Sequence, residues 1–140
     1  MDARSDTTVC CDDWHHSVTS ARVDLRIDDN STWMGAFQFG EPDDTTWTLT
    51  GQSFELDVQR TPYDAIPLLH LDTAGGRIVV DDIVQRVIHF NVSPDIIQAS
   101  LRPGEYVYDL VMLDGSTPPI RVALMHGKLI VSRGVTFPPP

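Results

Sequence analysis

Cysteine is nearly absent: Cys10 and Cys11 are the only two, and they are adjacent. Neighbouring cysteines rarely bond each other, because a disulfide wants Cα atoms about 4.4–6.8 Å apart. The fold is therefore expected to stand without a disulfide framework. Even with His15 and His16 close behind, the pair lacks the wider ligand spacing of a zinc site. Cys10 and Cys11 read as free thiols on an arm, or as cross-links to a neighbouring chain in an oxidising medium. Long apolar runs are missing too, and nothing approaches the ~20 residues that span a bilayer. Residues 1–20 hold Asp2, Asp6, Asp12 and Asp13 and no apolar core, so no secretory signal is expected and synthesis in a cytoplasm is. The sequons Asn30-Ser31-Thr32 and Asn91-Val92-Ser93 then read as chance matches.

Basic residues are scarce, with 10 Lys and Arg against 20 Asp and Glu and a net charge of −10. That argues against nucleic acid, whose phosphates need clustered cations, and against an anionic membrane surface. It fits solubility or a basic patch on another protein. Catalytic motifs are also lacking: there is no Gly-x-Ser-x-Gly, no phosphate-cradling glycine loop and no His-Glu-x2-His. The expectation is a chain that is not an enzyme and carries no cofactor.

What the chain has is alternation, clearest at 101–113. Pro103-Gly104 makes a turn. Tyr106, Tyr108, Leu110 and Met112 then fall on one face of a strand, with Val107, Val111 and Leu113 on the other, broken by Asp109. A strand apolar on both sides is expected at the centre of a sheet, covered on both faces. Val23, Leu25 and Ile27 alternate with charges in one strand from Ala21; Trp33, Gly35, Phe37 and Phe39 form another run. Thr45 to Thr50 is β-prone, with Trp47 and Leu49 on one side, and Phe54, Leu56 and Val58 give the clearest half-buried strand. Strands are also expected at Ile66–Leu71, Arg77–Asp81 and Val87–Val92, with a bend at Asp81–Gln85. Ser93-Pro94-Asp95 starts a helix of one or two turns that Pro103 stops. Asp114 to Pro119 connects to a last strand from Ile120, with a bulge placed at Gly127.

These elements predict an all-β antiparallel sandwich with one short helix and an extended N-terminal arm. The arm is residues 1–20, the sandwich 21–136 and a Pro-rich tail 137–140. Trp14 in the arm reads either as exposed or as an interface anchor. With Cys10, Cys11 and Phe137 of the tail it makes up the candidate partner-binding set. His70, His89 and His126 read as exposed or satisfied. The pairs Asp28-Asp29, Asp43-Asp44 and Asp81-Asp82 read as turn residues, with calcium the sharper alternative. Tyr106 and Tyr108 read as core. Trp33, Trp47 and Tyr63 are the aromatics a glycan-binding face would need.

In order and spacing the chain resembles the immunoglobulin-like β-sandwich of small structural proteins of tailed bacteriophages, akin to the N-terminal domain of phage baseplate upper proteins. The resemblance covers roughly residues 22–136. It rests on Trp33-x3-Phe37-x-Phe39, Leu49-Thr50-Gly51, Phe54-Glu-Leu-Asp-Val-Gln-Arg60, Gly76-Arg77-Ile78 and Phe90-Asn-Val92. Its strongest part is Leu101-x-Pro-Gly-x-Tyr-x-Tyr-Asp-Leu110, followed by Arg121-x2-Leu124-x2-Gly127-x3-Val131 and Val135-Thr136. The N-terminal arm and the long stretch between Val58 and Gly76 depart from the pattern. The resemblance implies a virion protein of the neck or collar, tail or fibre-attachment region. It would act through contacts with other virion proteins, and as a homo-oligomer in the particle, without chemistry. Capsid decoration and a glycan-binding module are the alternatives.

Overall fold

A computed structural model describes residues 7–9 and 20–136. Along the chain run strands β1 (Thr7–Val9), β2 (Ala21–Arg22), β3 (Leu25–Asp28), β4 (Ala36–Phe39) and β5 (Ser53–Gln59). Then come β6 (Leu69–Asp72), β7 (Ile78–Asp82), β8 (Val87–Phe90), helix α1 (Pro94–Ser100), β9 (Gly104–Leu113) and β10 (Arg121–Ser132). They form two sheets. One has the order β1-β4-β8-β7; the other runs β10-β9-β5-β6, with β2 and β3 end to end along the outer edge of β10.

The sheets stack as an all-β sandwich because each strand has one apolar row to hide. Phe37, Phe39, Ile88 and Phe90 come from the smaller sheet, and Phe54, Leu56, Val58, Tyr108 and Leu110 from the larger, all buried in one core. The Phe39 and Phe54 rings stack across the two layers, centroids 6.1 Å apart. Phe90 fits between Trp33 and Phe37, with centroid distances of 4.9 and 5.5 Å. Helix α1 begins at Pro94 after an extended Ser93, as the sequence predicts; the Ser93 hydroxyl makes no cap, and its carbonyl accepts from Ile96 and Ile97 N–H.

Several expectations shift, each for a local reason. Strand β9 is central, between β10 and β5, but among the described residues it is covered on one side only. Its other row is open, with Val107 and Val111 half-buried and Asp109 exposed. The run from Ala21 is two strands, and these pair parallel to β10, as β1 does to β4; the remaining strand pairs are antiparallel. The break falls at Val23-Asp24, where the main chain approaches Gly127 so closely that a Cβ there would lie 2.4 Å from the Val23 carbonyl oxygen. That carbonyl accepts the buried Tyr108 hydroxyl, and the Asp24 carboxylate accepts Lys128 N–H. The bulge of β10 lies at Ala123–Met125, so Gly127 serves this close approach instead. Trp47 and Leu49 are buried without joining a strand. Strand β6 starts at Leu69, and Ile66 before it is 80% exposed, where Pro67 cannot donate to a ladder.

Gly127→Ala is expected to cost about 1–3 kcal/mol, the usual range for forcing atoms into a packed site. Urea unfolding would measure it, and a cost below about 0.5 kcal/mol would show that the Val23–Gly127 approach is slack.

Candidate interaction surface

Among the described residues only one side of the larger sheet is covered, and its outward rows carry charge. Strand register lines five of these side chains up across five strands. His70 opposes Asp57, Asp57 opposes Asp109, Asp109 opposes His126, and His126 opposes Arg22. Around this row run ion pairs Arg121–Glu55 at 3.7 Å, Lys128–Glu105 at 3.4 Å and Arg22–Asp24 at 3.5 Å. Two carboxylates directly opposite each other repel. Burial, then the Asp57 charge, pushes the Asp109 carboxyl above its usual range.

His70 is held between two carboxylates, Nδ1 at 2.5 Å from Asp57 and Nε2 at 3.0 Å from Asp72. The Asp57 hydrogen bond, opposed by partial desolvation and helped by Asp72, raises the imidazole above its usual value. A raised folded-state value adds stability that is full below the unfolded value of about 6.5 and fades as pH rises through the folded one. Unfolding free energy should therefore fall as pH rises above the unfolded value of about 6.5, by under ~1 kcal/mol because solvent screens this exposed site. Urea titrations of His70→Gln should flatten this slope; an unchanged slope would assign it to another group.

Beside the row lies an open concavity of about 370 Å³, lined by Arg22, Gln59, Pro62, Val107, Asp109 and His126 among others. The loop that leaves β5 continues from Pro62 into Tyr63, 93% exposed, and Ile66 and Leu68, also exposed. An aromatic, two aliphatics and a charged row side by side can grip another protein. His126, which lines the concavity, has Nδ1 2.8 Å from the Ser20 hydroxyl, and Asp109 stands opposite it on β9.

The candidate set Cys10, Cys11, Trp14 and Phe137, with His15 and His16, lies outside the described residues. Trp33 and Trp47 are 6% exposed, so they make no glycan platform with Tyr63; each has a neighbouring ring or guanidinium to cover it. Tyr106 and Tyr108 are core, their hydroxyls donating to the Arg102 and Val23 carbonyls. The acid pairs are used singly. Asp29 is buried and accepts Gly134 N–H, Asp44 accepts Thr46 N–H, Asp81 holds His89 at 2.7 Å, and Asp82 accepts Gln85 N–H. Among the described residues no three or more His, Cys, Asp or Glu gather as a metal site.

Sequence reasoning missed the cross-strand row, which exists only once register is known. It also missed Arg86, a fully buried guanidinium between β7 and β8. The only available signal was one basic residue inside an otherwise apolar and acidic stretch.

No protein-family model matches the chain, and no curated protein matches it by sequence. Among solved structures it is similar to the N-terminal domain of phage TP901-1 ORF48, with a TM-score of 0.53 and 12% identity, covering 94% of this chain and 99% of that one. The two share a fold. CopC from Methylosinus trichosporium OB3b matches at a TM-score of 0.42 and 9% identity, covering 85% of this chain and 90% of that one, too distant to bear on the fold.

Proposed function

We propose that this chain is a structural protein of a tailed bacteriophage particle, a β-sandwich module of the baseplate, tail or neck that works by protein contacts and not as an enzyme. The observation that carries the reading is the likeness to the phage TP901-1 domain, which spans nearly the whole of both chains. The larger sheet's outward face supports it, with a charged row flanked by exposed Tyr63 and Ile66. An immunoglobulin-like class for the sandwich, and fibre attachment as its task, belong to the same reading. They rest on the Leu101–Leu110 and Arg121–Val131 patterns. The acidic balance of −10 favours neighbours with basic patches over nucleic acid or an anionic bilayer. Glycan binding loses support with Trp33 and Trp47 buried.

Mass spectrometry of purified particles tests the proposal. The chain should be recovered at a fixed stoichiometry, and labelling with antibody should mark the tail end or neck. Absence from particles of the phage that encodes it would sink the reading, and labelling spread over the head would replace tail with capsid decoration.

A further inference from the structure

On the outer face of the larger sheet His70 already holds Asp57, and Asp109 is the acid of the row with no basic side chain bonded to it in the hydrogen bonds and ion pairs above. Across β5, β9, β10 and β2 the row reads Asp57, Asp109, His126, Arg22, two acids followed by two bases on adjacent strands. Such a sequence of charges is complementary to itself. A two-fold axis lying in the face, parallel to the strands and between β9 and β10, lays β9 of one copy over β10 of another. Asp109 then faces His126 of the second copy, and Asp57 faces Arg22 of the second copy. One row along, Val111, level with Ala123 in register, faces Ala123 of the second copy. Val111 brings half-buried apolar area beside the charged row, and Val107 lies over the Lys128 position of the second copy.

We propose that the outward face of the larger sheet is a self-association surface, where two copies pack sheet on sheet about that axis. Charge complementarity selects a second copy over another occupant, because an evenly basic partner would meet Arg22 and Lys128 with like charge. The geometry is the aligned sheet packing that ordinary sandwiches use, and sheet twist confines the contact to the central rows. Arg22 turns Nε toward Asp24 on its own edge, and its terminal nitrogens suit a bidentate grip on a carboxylate. The inference stands apart from the particle assignment: two copies could pair this way in a virion or in free solution, and failure of either test leaves the other intact.

The test is sedimentation of the full chain from low to high micromolar concentration, with reductant present so that Cys10 and Cys11 cannot mimic the contact. A reversible dimer that weakens with added salt is expected. Asp57→Arg and Arg22→Asp should each raise the dissociation constant at least about tenfold, since each dimer holds the pair twice. Arg22 is exposed and its thermal midpoint should stay near that of the parent, whereas the Asp57 change also removes the His70 contact, so its midpoint should fall slightly and the mixing arm carries the test. Mixing the two single variants should restore a dimer. The arginine introduced on β5 of one copy then meets the aspartate introduced on β2 of the other, while the unaltered Arg22 and Asp57 meet each other across the axis. The double swap in one chain should restore it as well. A parent chain that remains monomeric overturns the proposal. So does a dimer indifferent to both reversals, or one that mixing fails to rescue.

Discussion

Replacing Arg86 by methionine is expected to cost about 3–5 kcal/mol, enough to leave a domain of ordinary stability marginal or unfolded. The Arg86 guanidinium is wholly buried and points at main chain. Its Nε donates to the Phe39 carbonyl at 2.7 Å, one terminal nitrogen to Glu41, and the other to Val84, Asp44 and Trp47 at 2.9, 2.8 and 3.1 Å. The cation also lies over the Trp47 ring, 5.2 Å from its centroid. Five carbonyl oxygens from β4, the 40–47 loop and the β7–β8 turn thus share one planar fork. Without it several buried acceptors lose their donor, at about 1–3 kcal/mol each before the loop relaxes toward water. Arg86→Lys keeps the charge but presents a point donor on a flexible stem, so it should recover only part of the loss. Urea unfolding followed by tryptophan fluorescence would measure both variants, and limited proteolysis should show the 40–47 loop cut first. A methionine variant losing under about 1 kcal/mol, or a lysine variant equal to the parent, would show that the fork does not hold this loop.

Arg86 also marks the boundary of what the sequence makes legible. Alternation announces Phe54, Leu56 and Val58 or Tyr106, Tyr108 and Leu110, because a two-residue period needs only one covered face. Turn chemistry announces Asp114–Pro119, where the Asp114 carboxylate accepts Ser116 and Ile120 N–H. Neither says which strands become neighbours. The parallel seating of β2 and β3 beside β10 is therefore invisible, although their phase is correct. So is the opposition of Asp57 to Asp109, since those residues are far apart in the chain and meet only through register. The expected cover on both faces of β9 is not met among the described residues for a related reason. Val107 and Val111 are as apolar as core residues, and composition does not say whether a second layer reaches them. Trp47 and Leu49 show the converse, burial without ladder pairing, because the Arg86 fork fixes their loop from outside the local sequence.

Phe54→Ala is expected to cost about 3–5 kcal/mol, the range for an aromatic cut back to Ala in a well-packed core. Phe54 sits on β5, is fully buried, and stacks on Phe39 of the opposite sheet with planes 15° apart. It is thus a tie between the two layers, and its removal leaves a cavity that neither sheet can close without sliding over the other. Phe39 cannot easily move in, because its own carbonyl is gripped by Arg86 and its N–H donates to the Arg86 carbonyl. The two rings should therefore couple: in a double-mutant cycle Phe39→Ala and Phe54→Ala together should cost less than the sum of the single changes, by about 0.5–1.5 kcal/mol for the ring pair. Phe54→Leu, which keeps most of the volume, should lose far less than Phe54→Ala. Urea unfolding of the parent, the two single variants, the double variant and Phe54→Leu supplies every number needed. Additive losses would mean that the rings merely share a core, whereas the expected coupling would make this stack a seam joining the face that carries the charged row to the layer behind it.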